Sequence, residues 1–199
     1  MGVLLFALSY LSLKVYQFSL YHNQINQGVD PEDYHTEFSV QGVVNALTPL
    51  NDTAPTSSVV NLKGGNEANK SGGTHIMYCF NGVKGYSKFG GYIGNGNADG
   101  PFVFTGFRPA FILIKKFSGS DSWQMHDSAR STYNPKVAAL YPSAADSETT
   151  SGRIVDFLSD GFKHYNADGN TNEDGHDYVY MAFAERAGQT PYGTFANAR

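Results

Sequence analysis

Apolar positions along this chain come in short runs, and the stretches between them are dense in Gly, Asn, Asp and Ser. In the second half the runs occupy residues 102–105, 111–116, 122–127, 154–158, 161–165 and 177–183. Phe111-Ile112-Leu113-Ile114 places four large apolar residues in succession, the pattern of a central strand covered on both faces. Ser122-Trp123-Gln124-Met125-His126-Asp127 alternates instead, which sends Trp123 and Met125 to one side and Gln124 and His126 to the other. Ser159-Asp160 separates two runs as a hairpin turn would, and Asn95-Gly96-Asn97-Ala98-Asp99-Gly100 is a dense turn cluster. No helical period is sustained here, and only residues 134–145 leave room for a short helix or a loop. Short strands with turn signals between them predict an all-β sandwich or barrel, of which an antiparallel jelly-roll sandwich is the form expected here.

The first twenty residues are apolar but interrupted by Lys14, Gln17 and three serines. A basic start and a small-residue cleavage site are absent, which argues against an export signal, and the polar residues argue against a membrane span. The segment reads best as a buried helix or strand pair packed on the sheet. Further along, the stretch ending Thr74-His75-Ile76-Met77-Tyr78-Cys79-Phe80 resembles the one ending Asp177-Tyr178-Val179-Tyr180-Met181-Ala182-Phe183. In that register Asn69 falls on Asn172, Gly72 on Gly175 and Phe80 on Phe183. Both are polar turns feeding an apolar strand, so a tandem repeat is expected. The expected division is an apolar segment and linker over 1–44, a partial first copy over 45–80 and a sandwich copy over 81–199.

Composition sharpens this. Charged residues are only 16% of the chain, against roughly 25% for an average soluble domain, while 22 Gly, 13 Tyr and 14 Phe favour strands and tight turns. A net charge of −4 with no basic stripe sets nucleic-acid binding aside. The single cysteine, Cys79, excludes an intrachain disulfide and a multi-cysteine zinc site, and its apolar run suggests a buried thiol.

Several pieces are similar to a repeat found in virion proteins of marine and other tailed phages. They are Tyr78-Cys79-Phe80, Gly85-Tyr86-Ser87-Lys88-Phe89-Gly90, Gly94-Asn95-Gly96, Asp99-Gly100-Pro101-Phe102 and Thr105-Gly106-Phe107-Arg108-Pro109. Ile114-Lys115, Ser122-Trp123, Asp127-Ser128-Ala129-Arg130 and Asn134 continue the likeness, and Phe157-Leu158-Ser159-Asp160-Gly161-Phe162 and Tyr180-Met181-Ala182-Phe183-Ala184-Glu185 end it. It covers roughly residues 53–199. The resemblance implies a concanavalin A-type lectin sandwich in a tail fibre or other particle structural protein. It further implies homo-oligomers, other virion proteins and host-surface glycan as partners, and a place on the particle exterior. The matched motifs are structural rather than catalytic.

Candidate sites follow from residue type. Tyr86, Tyr92, Trp123, Tyr133 and Tyr165 are aromatics suited to sugar stacking, each weighed against core packing. Asp127 and Arg130 suit a bidentate ion pair that pins a strand end, or a ligand contact. Asp168, Asn170, Asn172 and Asp174 set oxygen ligands at every second residue, as Ca²⁺ would take them. Glu173 stands where a calcium loop wants Gly and Val179 where it wants an acid, so a polar hairpin is the better reading and no cofactor is required. The histidines lack metal-hydrolase spacing, and His126-Asp127-Ser128 places its members on alternate faces of a strand. No enzyme is therefore expected. The leading expectation is a virion structural module with glycan attachment; the alternatives are a glycan-cleaving hydrolase with two opposed carboxylates and a secreted adhesin.

Overall fold

In the computed structural model the described residues are 56, 58–62, 69, 71–72, 75–117 and 119–186, together with the strand course of 3–9, 14–21, 35–36 and 43–44. The strands are β1 (Val3–Ser9), β2 (Lys14–Tyr21), β3 (His35–Thr36), β4 (Val43–Val44), β5 (His75–Asn81) and β6 (Ser87–Ile93). They continue as β7 (Phe102–Phe104), β8 (Pro109–Lys116), β9 (Gln124–Asp127), β10 (Val155–Leu158), β11 (Gly161–His164) and β12 (Asp177–Ala184). Three sheets result, with strand orders β4-β3-β2-β1-β5, β10-β11-β7 and β6-β12-β8-β9. Every pairing is antiparallel. The described residues contain no helix, so none is long and apolar enough to cross a membrane.

The chain is all-β, as its hydrophobic pattern predicts. The four-stranded sheet is buried on both faces. One face packs Ile112 and Ile114 of β8 with Tyr178, Tyr180 and Ala182 of β12 against Val103, Val155, Phe157 and Phe162 of the three-stranded sheet. That interface is the inside of a two-layer sandwich. The other face gathers Phe89, Leu113, Trp123, Val179 and Met181. Successive residues of β8 thus enter different cores, which explains a run with no polar interruption. The alternation in β9 also holds: Trp123 and Met125 join the outer cluster, while Gln124 and His126 stand opposite Ile114 and Ile112 on the inner face. Residues 134–145 form no helix; three bridges, Lys136 to Val155, Met125 to Leu140 and Ala139 to Thr149, stitch the segment to strand edges. Asn134 assists, donating from its Nδ2 to the Phe157 carbonyl and accepting the Phe157 N–H, both at 3.0 Å.

The first sheet repeats the second, strand for strand. Phe6 pairs Phe18 as Leu113 pairs Met125, and Leu4 pairs Phe80 as Phe111 pairs Phe183. Phe18 then meets Thr36 as Met125 meets Leu140, and His35 meets Val44 as Ala139 meets Thr149. The order β5-β1-β2 therefore equals β12-β8-β9, extended in both by the same two bridged segments. Gly72 and Gly175, aligned in sequence, share a left-handed backbone at φ 73 and 71, a conformation that favours glycine in the turn before each strand. The four strands β1–β4 share the sheet of β5. Strand pairing rather than residue identity carries that likeness, since β1 and β8 share only apolar character.

Phe162 is fully buried and edge-on to Tyr92, His164 and Tyr180. Phe162→Ala is expected to lower the unfolding free energy by about 3–5 kcal/mol, the cost of an unfilled aromatic cavity, as read from urea titration. Phe104→Ala, on the exposed face of β7, is expected to cost less than about 1 kcal/mol.

Candidate functional site

The sandwich has two ends, and the predicted site residues divide between them. At one end lie the loops 94–101 and 165–176, with residues 119–123 and Arg153 beside the second. Asn172 ties the two loops together. Its side-chain oxygen accepts the Asn95 N–H at 2.8 Å, and its Nδ2 donates to Asn95 Oδ1 and to the carbonyls of Asn97 and Asn166. Asp168 pairs with Arg153, whose Nε donates to the Tyr141 hydroxyl at 2.8 Å. Lys116 bridges Asp121 and Glu173, and Lys163 reaches Asp99 at 2.8 Å. Lys115 is buried, and its Nζ donates to the carbonyls of Lys116 and Asp121. Burial brings its ammonium down to about 8.

Two of the four candidate cation ligands are engaged by protein groups. Asp168 faces Arg153 and also accepts the Asn170 N–H, and the Asn172 carboxamide bonds to Asn95 and Asn97 in one loop and to Asn166 in its own. Among the described residues no group of three His, Cys, Asp or Glu converges on a metal position. Asp168 shapes a turn here, its carboxylate accepting the Asn170 N–H and its carbonyl those of Thr171 and Asn172.

Beneath the loops sits a buried polar cluster that the sequence did not single out. The Tyr92 hydroxyl donates to the Thr171 carbonyl at 2.7 Å and lies 3.1 Å from His164 Nε2, with the two rings stacked. His126 Nε2 is 3.2 Å from Gln124 Oε1. Burial pushes His126 down to about 4 and His164 down to about 3, so both imidazoles are neutral at pH 7. Gln124 Nε2, His126 Nδ1, Asn166 Oδ1 and Thr171 Oγ1 are buried without a hydrogen-bond partner in the protein, each at a cost of roughly 1–3 kcal/mol. Thr171 lies between Asn170 and Asn172 in sequence, so hydropathy gave no cue to its burial.

The aromatic candidates fare unequally. Trp123 has no exposed surface and Tyr92 is held inside by its rings and hydroxyl, so neither offers a face to a sugar. These two are corrections to the sequence reading: both alternate into cores that β12 and β8 fill. Tyr86 is half-buried, edge-on to Phe183 at 6.0 Å. Tyr165 is exposed beside Lys163. Tyr133 is 83% exposed.

Tyr133 belongs to the turn at the opposite end, which follows β9. There Asp127 accepts the N–H groups of Ala129 and Arg130 at 2.9 and 2.8 Å through one oxygen and the Arg130 Nε at 2.6 Å through the other. Burial works to raise the Asp127 carboxyl, but these donors and the guanidinium outweigh it and hold the pKa below the usual range. Glu148 adds a second carboxylate to Arg130. Lys136, buried beside this turn, donates to the carbonyls of Ser131 and Thr132 and lies over the Phe157 ring. Asp127 and Arg130 are thus brought together in one braced turn, and Tyr133 follows three residues later with its ring exposed.

A family model described as "Domain of unknown function (DUF7483)" matches residues 11–187. No curated protein and no solved structure matches the chain.

Two outcomes follow from these interactions. A buried histidine whose pKa falls on folding binds its proton only when unfolded, so its stabilising contribution is present above about pH 6.5 and is lost as pH falls. Between pH 7 and 5 each of His126 and His164 is expected to remove roughly 2 kcal/mol, and His164→Asn is expected to halve that dependence in denaturant titrations at several pH values. Addition of Ca²⁺ or of a chelator is expected to leave the melting temperature unchanged, whereas Asn172→Ala lowers it through about 2–4 kcal/mol of lost buried hydrogen bonds.

Proposed function

We propose that this chain, which belongs to the DUF7483 family, is a non-catalytic module of a phage particle, of the tail-fibre or decoration type, that attaches to host-surface glycan. The observation that carries the reading is the turn Asp127-Ser128-Ala129-Arg130 with Tyr133 beyond it. An ion pair braced by two backbone N–H groups holds the turn, and an almost fully exposed ring follows it in the chain. A flat aromatic face with nearby hydrogen-bonding charges suits a shallow, weak sugar contact, and weak contacts become effective when many copies present them together.

The carboxylates favour attachment over cleavage. A glycosidase acid needs a raised pKa and a partner across a groove. Asp127, Glu173 and Asp99 are held low instead: Asp99 and Glu173 by hydrogen bonds from Lys163 and Lys116, Asp127 by the N–H donors and Arg130 against its burial. Asp168 is engaged by Arg153. The lectin-type sandwich implied by the phage-repeat resemblance accords with the two-layer, all-antiparallel core.

A glycan array probed with the intact chain, presented multivalently, tests the attachment. Tyr133→Ala is expected to weaken binding at least roughly tenfold, as loss of one stacking ring does, with an unchanged melting temperature, because the ring is outside the core. Binding to no sugar would remove the attachment role, and measurable glycan turnover would overturn the non-catalytic reading. Antibody labelling of purified particles by electron microscopy tests the location, for which unlabelled particles are the contrary result.

A further inference from the structure

Lys116, Lys163, Arg153 and Arg130 each meet a carboxylate. Arg108 and Lys136 meet none among the described residues and hold main-chain carbonyls instead. Arg108 Nε donates to the Phe157 carbonyl at 3.3 Å, and Lys136 Nζ donates to the carbonyls of Ser131 and Thr132. Lys136 is fully buried, whereas Arg108 is exposed. The two are near enough to repel. Burial lowers the Lys136 ammonium from its usual range and the Arg108 guanidinium lowers it further, while Asp156 and Asp127 offset this without forming an ion pair. A buried charge is ordinarily paired, because leaving it alone is costly. This end of the sandwich therefore carries positive charge that the protein itself does not answer.

The β8–β9 ladder brings Arg108 to the braced turn. Ile112 pairs with His126 and Phe111 with Asp127, and the Ser128 N–H donates to the Ala110 carbonyl at 2.8 Å. The turn that holds Arg130 thus begins beside Ala110, two residues along the chain from Arg108. The Phe157 carbonyl that accepts from Arg108 also accepts from Asn134 Nδ2, at 3.0 Å, and Asn134 directly follows Tyr133. One carbonyl of β10 therefore joins Arg108 to the segment that carries the exposed ring.

The chemistry of the guanidinium decides what it can take. Its Nε is occupied by that carbonyl, and Nη1 and Nη2 have no acceptor among the described residues. Their shared edge is a planar fork that meets a carboxylate through two parallel hydrogen bonds. A fork already anchored at Nε loses less freedom when it binds. Arg130 offers no such edge, because Asp127 and Glu148 occupy it.

We propose that Arg108, with Lys136 near it, forms an anion site at this end of the sandwich, and that the anion is the carboxylate of a hexuronate unit in the attached glycan. The inference rests on the glycan-attachment reading above and adds the class of glycan, an acidic chain. The fork holds the carboxylate, and the unanswered charge of Lys136 adds to the attraction.

A glycan array that carries hexuronate chains beside the same chains with their carboxylates methyl-esterified tests this on the unaltered protein, presented multivalently. Esterification keeps the sugar rings and removes the charge. It is expected to weaken retention at least roughly tenfold, as loss of one charge-assisted pair does, and added salt is expected to weaken the acidic chains alone. Arg108→Gln is expected to abolish the preference while neutral chains are still retained. Lys163→Gln, the same charge change at the loop end, is expected to keep it. In the unaltered chain the Arg108 Nε–Hε resonance is expected to shift on addition of glucuronate and not of glucose. Equal retention of acidic and esterified chains overturns the acid site and leaves glycan attachment standing. A resonance indifferent to glucuronate overturns the site as well. Retention of no glycan removes the attachment reading and the acidic-glycan assignment with it, and a resonance that then moves alike for glucuronate and inorganic phosphate marks an adventitious ion only.

Discussion

Burial of one sheet on both of its faces is the constraint from which the described structure follows. β8 and β12 have no solvent side, so their residues alternate between two cores rather than between core and water. Apolar burial contributes about 25 cal/mol for each Å² removed from water, and a strand covered twice collects that along its whole length. It also leaves its neighbours little freedom. Gly90 must remain small beneath Tyr180, and Trp123 must lie flat in the outer cluster. Two of the five aromatic residues that look like ligand contacts in the sequence, Tyr92 and Trp123, pack into the two cores of this double burial.

Placing so many apolar residues inside pushes polar chemistry to the two ends of the sandwich, and the ends have met that demand differently. The loop end is a frame of carboxamides and ion pairs centred on Asn172 and Arg153–Asp168. The far end is a single turn braced by Asp127 and Arg130 and backed by the buried cation Lys136. The displaced imidazoles of His126 and His164 lie inside the core and result from its dryness.

The fold was legible where periodicity alone decides. The unbroken run of β8, the alternation of β9 and the β10–β11 hairpin all stand where the pattern put them. The repeat was half legible. Its strand β5 shares residues with β12, so it showed; β1 and β2 share only hydrophobicity and pairing geometry with β8 and β9, and pairing is invisible in one sequence. For the site, Asp127 and Arg130 announced themselves through short spacing, since a turn can join residues three apart. The embrace of Asp168 by Arg153 and of Asn172 by Asn95 joins loops distant in sequence, and nothing local to either residue signals it. Tyr92 and Trp123 misled for the converse reason: an aromatic ring reads alike whether it faces water or a neighbouring strand.

One feature of the loop end bears on how such a chain can change over generations. Asn172 grips its neighbours through main-chain groups, the N–H of Asn95 and the carbonyls of Asn97 and Asn166. A clamp of that kind does not read the side chain of Ala98, provided the backbone keeps its course, whereas Gly96, at φ 60 with Asp174 against it, stays glycine. Variation can therefore accumulate on the rim while the scaffold beneath stays put, so that new surface chemistry can be tried without refolding the molecule that displays it.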